Sequence, residues 1–81
     1  MLTDRLIEHI TSEYLEGEAL DLTPDTPLLE LNIIDSSALF DLVDFLRRET
    51  GVAVPVQEVT PENFMTVRRI ADLAGRLKKA G

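Results

Sequence analysis

Leu31-Asn-Ile-Ile-Asp-Ser-Ser-Ala-Leu-Phe-Asp-Leu-Val-Asp-Phe-Leu46 sets the architecture of this chain. From Asp35 or Ser36 the spacing predicts a helix running to about Thr50, with Gly51 as its C-terminal stop. At 100° per residue, Ala38, Leu39, Leu42, Val43, Phe45 and Leu46 share one broad apolar face. Asp41, Asp44, Arg47 and Arg48 fall opposite, and Ser37 and Phe40 lie with them on the wet side. Glu49 falls on the apolar side, in the last turn, where its tip reaches water. Ahead of this helix, Leu28, Leu29, Leu31, Ile33 and Ile34 are too many aliphatics for a free loop, so the segment is expected to be pinned across a core. Asn32 tolerates left-handed backbone angles and is the expected turn point.

The flanking sequence supplies the helices this one packs against. Thr3 is placed to cap a first helix, with Asp4 in its first turn, Leu6, Ile7, Ile10 and Tyr14 at helical spacing, and Gly17 at its end. Residues 17–35 then form a long connection broken by Pro24 and Pro27, where Thr26-Pro27 is placed to cap a single helical turn. Val52-Ala53-Val54-Pro55-Val56 reads as an extended connection, because Pro55 breaks it as a strand and no second strand candidate exists. Thr60-Pro61-Glu62 opens a short third helix through Phe64. Thr66 caps a fourth, with Val67, Ile70, Ala71, Ala74 and Leu77 on one side and Lys78 and Lys79 suited to its C-terminus. The expected fold is all-α, a four-helix bundle with a long loop between helices 1 and 2 and a short helix 3. The packing residues are Leu6, Ile10, Leu39, Leu42, Val43, Leu46, Phe64, Val67 and Ile70.

Composition narrows the function classes. At 81 residues the chain is one domain, 1–81, without room for a deep lidded active site, and 44% apolar residues suffice for a folded core. Fifteen Asp and Glu against eight Lys and Arg give a net charge of −7, which repels phosphate backbones and favours partners with basic surfaces. With no cysteine and one histidine, disulfides, cysteine-ligated zinc and histidine metal clusters are excluded. Any thiol chemistry needs a thiol brought from outside. His9 reads as a solvated histidine on a charged helix side. A Ser36–His9–Asp35 catalytic set would need an oxyanion hole that this small bundle does not offer. No signal-peptide core and no membrane-spanning run is visible, so a cytoplasmic, monomeric protein without membrane or nucleic-acid partners is expected.

Asp35-Ser36 is the pair that points to chemistry. A serine at a helix N-terminus after a pinned loop is exposed at the positive end of the helix dipole, a setting that suits a phosphate diester. As a dipeptide alone the pair reads equally as a helix cap. Its surroundings carry more. The chain from Leu28 to Leu77 resembles the acyl carrier protein family, in which an Asp-Ser pair opens the second of four helices and an acidic residue and two aliphatics follow, here Asp41-Leu42-Val43. Gly51-Val-Ala-Val-Pro55 resembles the segment after that helix. Thr60-Pro-Glu-Asn-Phe64 and Met65-Thr-Val67 resemble the third helix and the start of the fourth.

The resemblance implies a carrier that is not itself an enzyme. A phosphopantetheinyl transferase would move 4'-phosphopantetheine from coenzyme A onto the serine, and the arm's thiol would hold acyl or aminoacyl cargo as a thioester. The family spacing to Asp41-Leu42-Val43 assigns the arm to Ser36; Ser37 would put that spacing out by one. Asp35, Asp41 and Asp44 resemble the family's recognition acids, although a salt-paired helix face with Asp44 against Arg47 or Arg48 is the plainer reading. Ser37 stands where the family usually has leucine or methionine. Phe40 is placed to compensate from the exposed face, unless a slightly rotated helix half-buries it. Arg47 and Arg48 depart from a commonly acidic pattern. These residues together, Asp35, Ser37, Phe40, Asp41, Asp44, Arg47 and Arg48, form the expected partner surface. The Asn-Ile-Ile-Asp-Ser opening looks more like discrete carriers served by an adenylating ligase than like fatty-acid carriers. An adenylating ligase or acyltransferase, then condensing or modifying enzymes of a polyketide, nonribosomal-peptide or related antibiotic pathway, are the expected partners. Fatty-acid carriage is the alternative within the class, and a small acidic helical adaptor without cofactor the alternative outside it.

Overall fold

The structure is a computed structural model that describes residues 2–15 and 22–80. Its elements are α1 (Leu2–Tyr14), α2 (Ser36–Thr50), a single 3₁₀ turn (Val56–Glu58), α3 (Pro61–Phe64) and α4 (Val67–Ala80). This is the all-α, four-helix arrangement with a short third helix. Both α1 and α3 pack against α4. The core joins Leu6 and Ile10 of α1, Leu39, Leu42 and Leu46 of α2, Phe64 of α3, and Val67, Ile70 and Leu73 of α4. Leu73 is fully buried although the sequence reading left it out, and Val43 is only partly buried, at the edge of the cluster.

The helix ends follow their local chemistry. Asp35 caps α2 in extended geometry, its carboxylate accepting from Ala38 N–H. Gly51 ends α2 with φ 75°, a left-handed angle that glycine adopts without steric cost, and its N–H bonds to Arg47 O. Thr60 Oγ1 accepts from Asn63 N–H and Thr66 Oγ1 from Arg69 N–H, so both threonines cap as their positions suggest. Thr3 does not cap α1: the helix already includes Leu2, whose side chain packs on the core and draws the helix start back. The expected stop at Gly17 lies outside the described residues.

The connection into α2 is pinned as its aliphatics require, through Leu28 and Ile34, both buried. Leu28 N–H donates to Met65 O at 2.8 Å, and Leu28 O accepts from Ile33 N–H at 2.9 Å. One helical turn closes between Pro27 O and Leu31 N–H (3.1 Å), and Asn32 stops it by turning left-handed at φ 56°. Thr26 does not cap that turn. Its hydroxyl instead accepts from Thr23 N–H and closes the turn before it. Leu31 departs from the expected pinning as well: the reversal at Asn32 leaves it 58% exposed. A second tie fastens the loop to α4. Pro24 O accepts from Arg68 N–H, one of the helix's unsatisfied first-turn donors, and Asp25 forms a two-pronged ion pair with the Arg68 guanidinium (2.7 and 3.0 Å).

Leu28 thus buries its side chain and fixes the loop through both backbone groups. Leu28→Ala is expected to cost about 2–4 kcal/mol by leaving a cavity, a large share of the total for so small a domain. Chemical denaturation should show that loss as a lower midpoint at unchanged slope.

Candidate functional site

Ser36 is the first residue of α2 and is exposed. The pinned loop and the Asp35 cap fix where its hydroxyl emerges. The adjacent Ser37 hydroxyl is differently placed, because it donates to Asp35 Oδ1 at 2.7 Å. That bond, with the Ala38 N–H second, holds the Asp35 carboxyl below the usual carboxylate range. Of the two serines, then, Ser37 is tied into the cap, whereas Ser36 makes no side-chain hydrogen bond among the described residues.

Helical spacing places Ser36, Phe40, Asp44 and Arg47 along one outward stripe of α2. Phe40 is 61% exposed, so α2 is not rotated to cover it. Asp44 pairs with Arg48 at 3.1 Å, one turn on. Arg47 and Arg48 lie in the last turn, where cations suit the negative end of the helix dipole. Glu49, on the apolar side of the wheel, reaches Arg5 of α1 at 3.5 Å.

His9 is placed otherwise than its position on the helix suggests, and Asp41 has partners that the sequence does not show. His9 is not solvated: its side chain keeps 14% of its exposure and stacks on the Phe45 ring with centroids 4.2 Å apart. Asp41 keeps 42% of its side-chain exposure on the polar side of α2, and it is also tied to α1. Its Oδ2 accepts from the Tyr14 hydroxyl at 2.6 Å and lies 3.1 Å from His9 Nε2. An ionised carboxylate only accepts, so His9 presents Nε2 to it as N–H. The physical reason is the wheel itself. Asp41 sits one turn before Phe45 on the same flank, and α1 covers that flank with His9 and Tyr14. A lone acid within a charged stretch gives no sign of which flank a neighbouring helix will occupy. The Tyr14 bond is the main cause that lowers the Asp41 carboxyl, while burial and then the carboxylate raise the Tyr14 phenol. His9 Nε2 thus faces Asp41, and among the described residues it makes no hydrogen bond to Ser36 or Asp35. Among the described residues no cluster of acids and histidine could hold a metal ion, and no helix is long and apolar enough to cross a membrane.

An exposed serine hydroxyl at the mouth of a 15-residue helix, free of the cap that engages its neighbour, suits a bulky anionic arm. The family model described as "Phosphopantetheine attachment site" matches residues 4–77. The chain belongs to that family. This carrier is 53% identical over 78 residues to "Probable acyl carrier protein PigG" of Serratia sp. (strain ATCC 39006), a match covering 96% of this chain and 90% of that protein. It also superposes with a TM-score of 0.77 on a chain of a solved structure titled "Crystal structure of FAD-dependent dehydrogenase". That match has 40% identity and covers 86% of this chain and 99% of that one. The protein is a phosphopantetheine-dependent carrier, and the arm supplies the thiol that the cysteine-free chain lacks. As a member of this family it works with a phosphopantetheinyl transferase and with enzymes that load and use the cargo.

The Asp41 clamp has a pH signature. With its folded value depressed, its contribution is complete above the ordinary carboxylate value near 3.8 and is lost as pH falls through the lower folded value. Asp41→Asn should destabilise the fold by about 1 kcal/mol near neutral pH, the low end for two bonds because the carboxylate is partly open to water. Thermal melts should show the gap between the two proteins closing at acid pH.

Proposed function

We propose that Ser36 bears the phosphopantetheine arm, and that the Ser36–Phe40–Asp44–Arg47 stripe of α2 meets the enzymes that load and modify the cargo. The observation that carries this is the contrast between two adjacent serines: Ser37 is bound into the Asp35 cap, and Ser36 is exposed without such a bond. Ser36 also keeps the family spacing to Asp41-Leu42-Val43. Ser36 Oγ accepts the arm, the Asp35 cap orients the first turn, and the pinned loop holds both against the core. Treatment with a transferase and coenzyme A should add the phosphopantetheinyl mass to the wild type and to Ser37→Ala, but not to Ser36→Ala. Retention of that mass in Ser36→Ala, read by intact-protein and peptide mass spectrometry, would remove the assignment.

The cargo class we favour is an amino or carboxylic acid delivered as its adenylate by a ligase, in a specialised pathway rather than in fatty-acid synthesis. Supports are the Asn32-Ile-Ile-Asp-Ser36 opening, the mixed charge of the stripe, and the likeness to the Serratia carrier. The solved structure adds a second element. Its title names an FAD-dependent dehydrogenase, while the matching chain is nearly all accounted for by 86% of this one, so it is carrier-sized. A flavin dehydrogenase acting on the tethered acyl group is therefore a client of the right kind: two electrons and two protons would leave the cargo for the flavin. Phe40, exposed beside the arm, is the residue placed to dock such a client. Phe40→Asp should lower kcat/KM for a downstream client by about tenfold or more, as loss of an aromatic interface anchor does. Circular dichroism should remain unchanged. Equal turnover by the variant would contradict the docking role.

A further inference from the structure

Charge is divided unevenly along this chain. Five of its eight Lys and Arg lie in α4 (Arg68, Arg69, Arg76, Lys78 and Lys79), with Asp72 as that helix's only acid. The helix therefore carries +4 and the rest of the chain −11, which together give the net −7. Arg68 is held by Asp25, and Arg76 leans on Glu58 (3.6 Å) and Asn63 (3.5 Å). Arg69, Lys78 and Lys79 make no ion pair among the described residues.

Arg69, Asp72, Arg76 and Lys79 follow one another along a single face at helical spacing. They line a cleft of about 500 Å³. Ala71 and Gly75 line that cleft and also a second one of about 290 Å³, to which Leu2 and Val52 contribute from outside α4 and Ala74 from the helix itself. A Cβ placed on Gly75 would meet nothing within 4 Å, so the ridge between the clefts is low and open. The result is a continuous trough with a cationic bank and an apolar bank. It runs past Thr50 at the C-terminal end of α2, about 20 Å along that helix from Ser36.

We propose that this trough docks an acidic amphipathic segment of a partner protein. Its carboxylates would meet Arg69, Arg76 and Lys79, and its apolar side chains would lie over Ala71 and Gly75 against Leu2 and Val52. Charge complementarity selects this occupant. An acidic segment is attracted to α4 and repelled by the rest of the molecule, so the field itself directs it to this face. A second copy of the chain would bring its own net −7 and be opposed by the same field. A plain polyanion would leave the apolar bank uncovered. The site goes beyond the carrier role and does not depend on which serine bears the arm. It would let the protein be held at one end while the arm end stays free to turn between enzymes, raising their effective concentration.

The test uses the full phosphopantetheinylated protein, isotope-labelled for amide NMR, and a designed helical peptide of about 20 residues with Leu and Ala on one face and Glu on the other. The same peptide with Lys for Glu is the control. Shifts are expected to cluster in residues 69–79 and at Leu2 and Val52. Affinity by fluorescence anisotropy should fall about tenfold or more between about 50 and 500 mM salt. A similar fall is expected in an Arg69→Glu/Lys79→Glu variant that still accepts the arm mass normally. The proposal fails if no shifts occur, if they gather on α2, or if the Lys peptide binds equally. It fails too if inorganic polyphosphate reproduces the whole shift pattern, Leu2 and Val52 included. Sedimentation showing dimerisation that the double variant abolishes would assign the trough to a second copy and likewise overturn it.

Discussion

Everything in this molecule that serves the carrier role depends on holding one loop still. Leu28 buries its side chain at the centre of the bundle, gives its N–H to Met65 and takes the N–H of Ile33. Those contacts join the loop to the α3–α4 corner and, through Ile34, to the start of α2. Burial of a leucine is worth about 1.5–3 kcal/mol. Here it also decides a direction, since the turn at Asn32 and the cap at Asp35 follow from where Leu28 is anchored. A serine on an unanchored segment would sweep a large volume. On this one Ser36 has a fixed root at the first turn of α2.

How much of this was legible in the sequence depends on whether the signal was local. The α2 boundaries, the Gly51 stop, the left-handed Asn32, and the Thr60 and Thr66 caps are set by residues a few positions apart, and each is found where its chemistry places it. The order of helices follows from the same caps and breakers, and the family resemblance that fits it is matched over residues 4–77. What was not legible is tertiary. His9 and Asp41 look like surface residues on a wheel and Tyr14 like part of an apolar stripe, and only the packing of α1 against α2 brings the three together. Leu31 reads as core by its apolar neighbours, yet the reversal that follows turns it outward. Leu73, three residues after Ile70 and four before Leu77, was legible in principle, because it shares the helical phase of the buried face.

The two ends of the molecule differ in electrostatic character. Around α2 the surface is mixed, with Asp44 and Arg48 neutralising one another and Phe40 standing free. Along α4 the cations are concentrated, and the acids that restrain two of them come from the loop and the 3₁₀ turn. An average of −7 describes neither end. Steering of any approaching protein is governed by the local field within about a Debye length, roughly 8–10 Å, so the mixed face and the cationic face make different demands on whatever approaches them.

Asp41 has a further consequence. Both bonds that hold it end on Oδ2, which leaves Oδ1 outside the clamp, and its side chain keeps 42% of its exposure. One carboxylate therefore serves two purposes, one oxygen tying α1 to α2 and the other adding negative charge to the surface. A basic side chain approaching it would meet a group whose direction α1 has already fixed, so less rotamer freedom would be lost on contact.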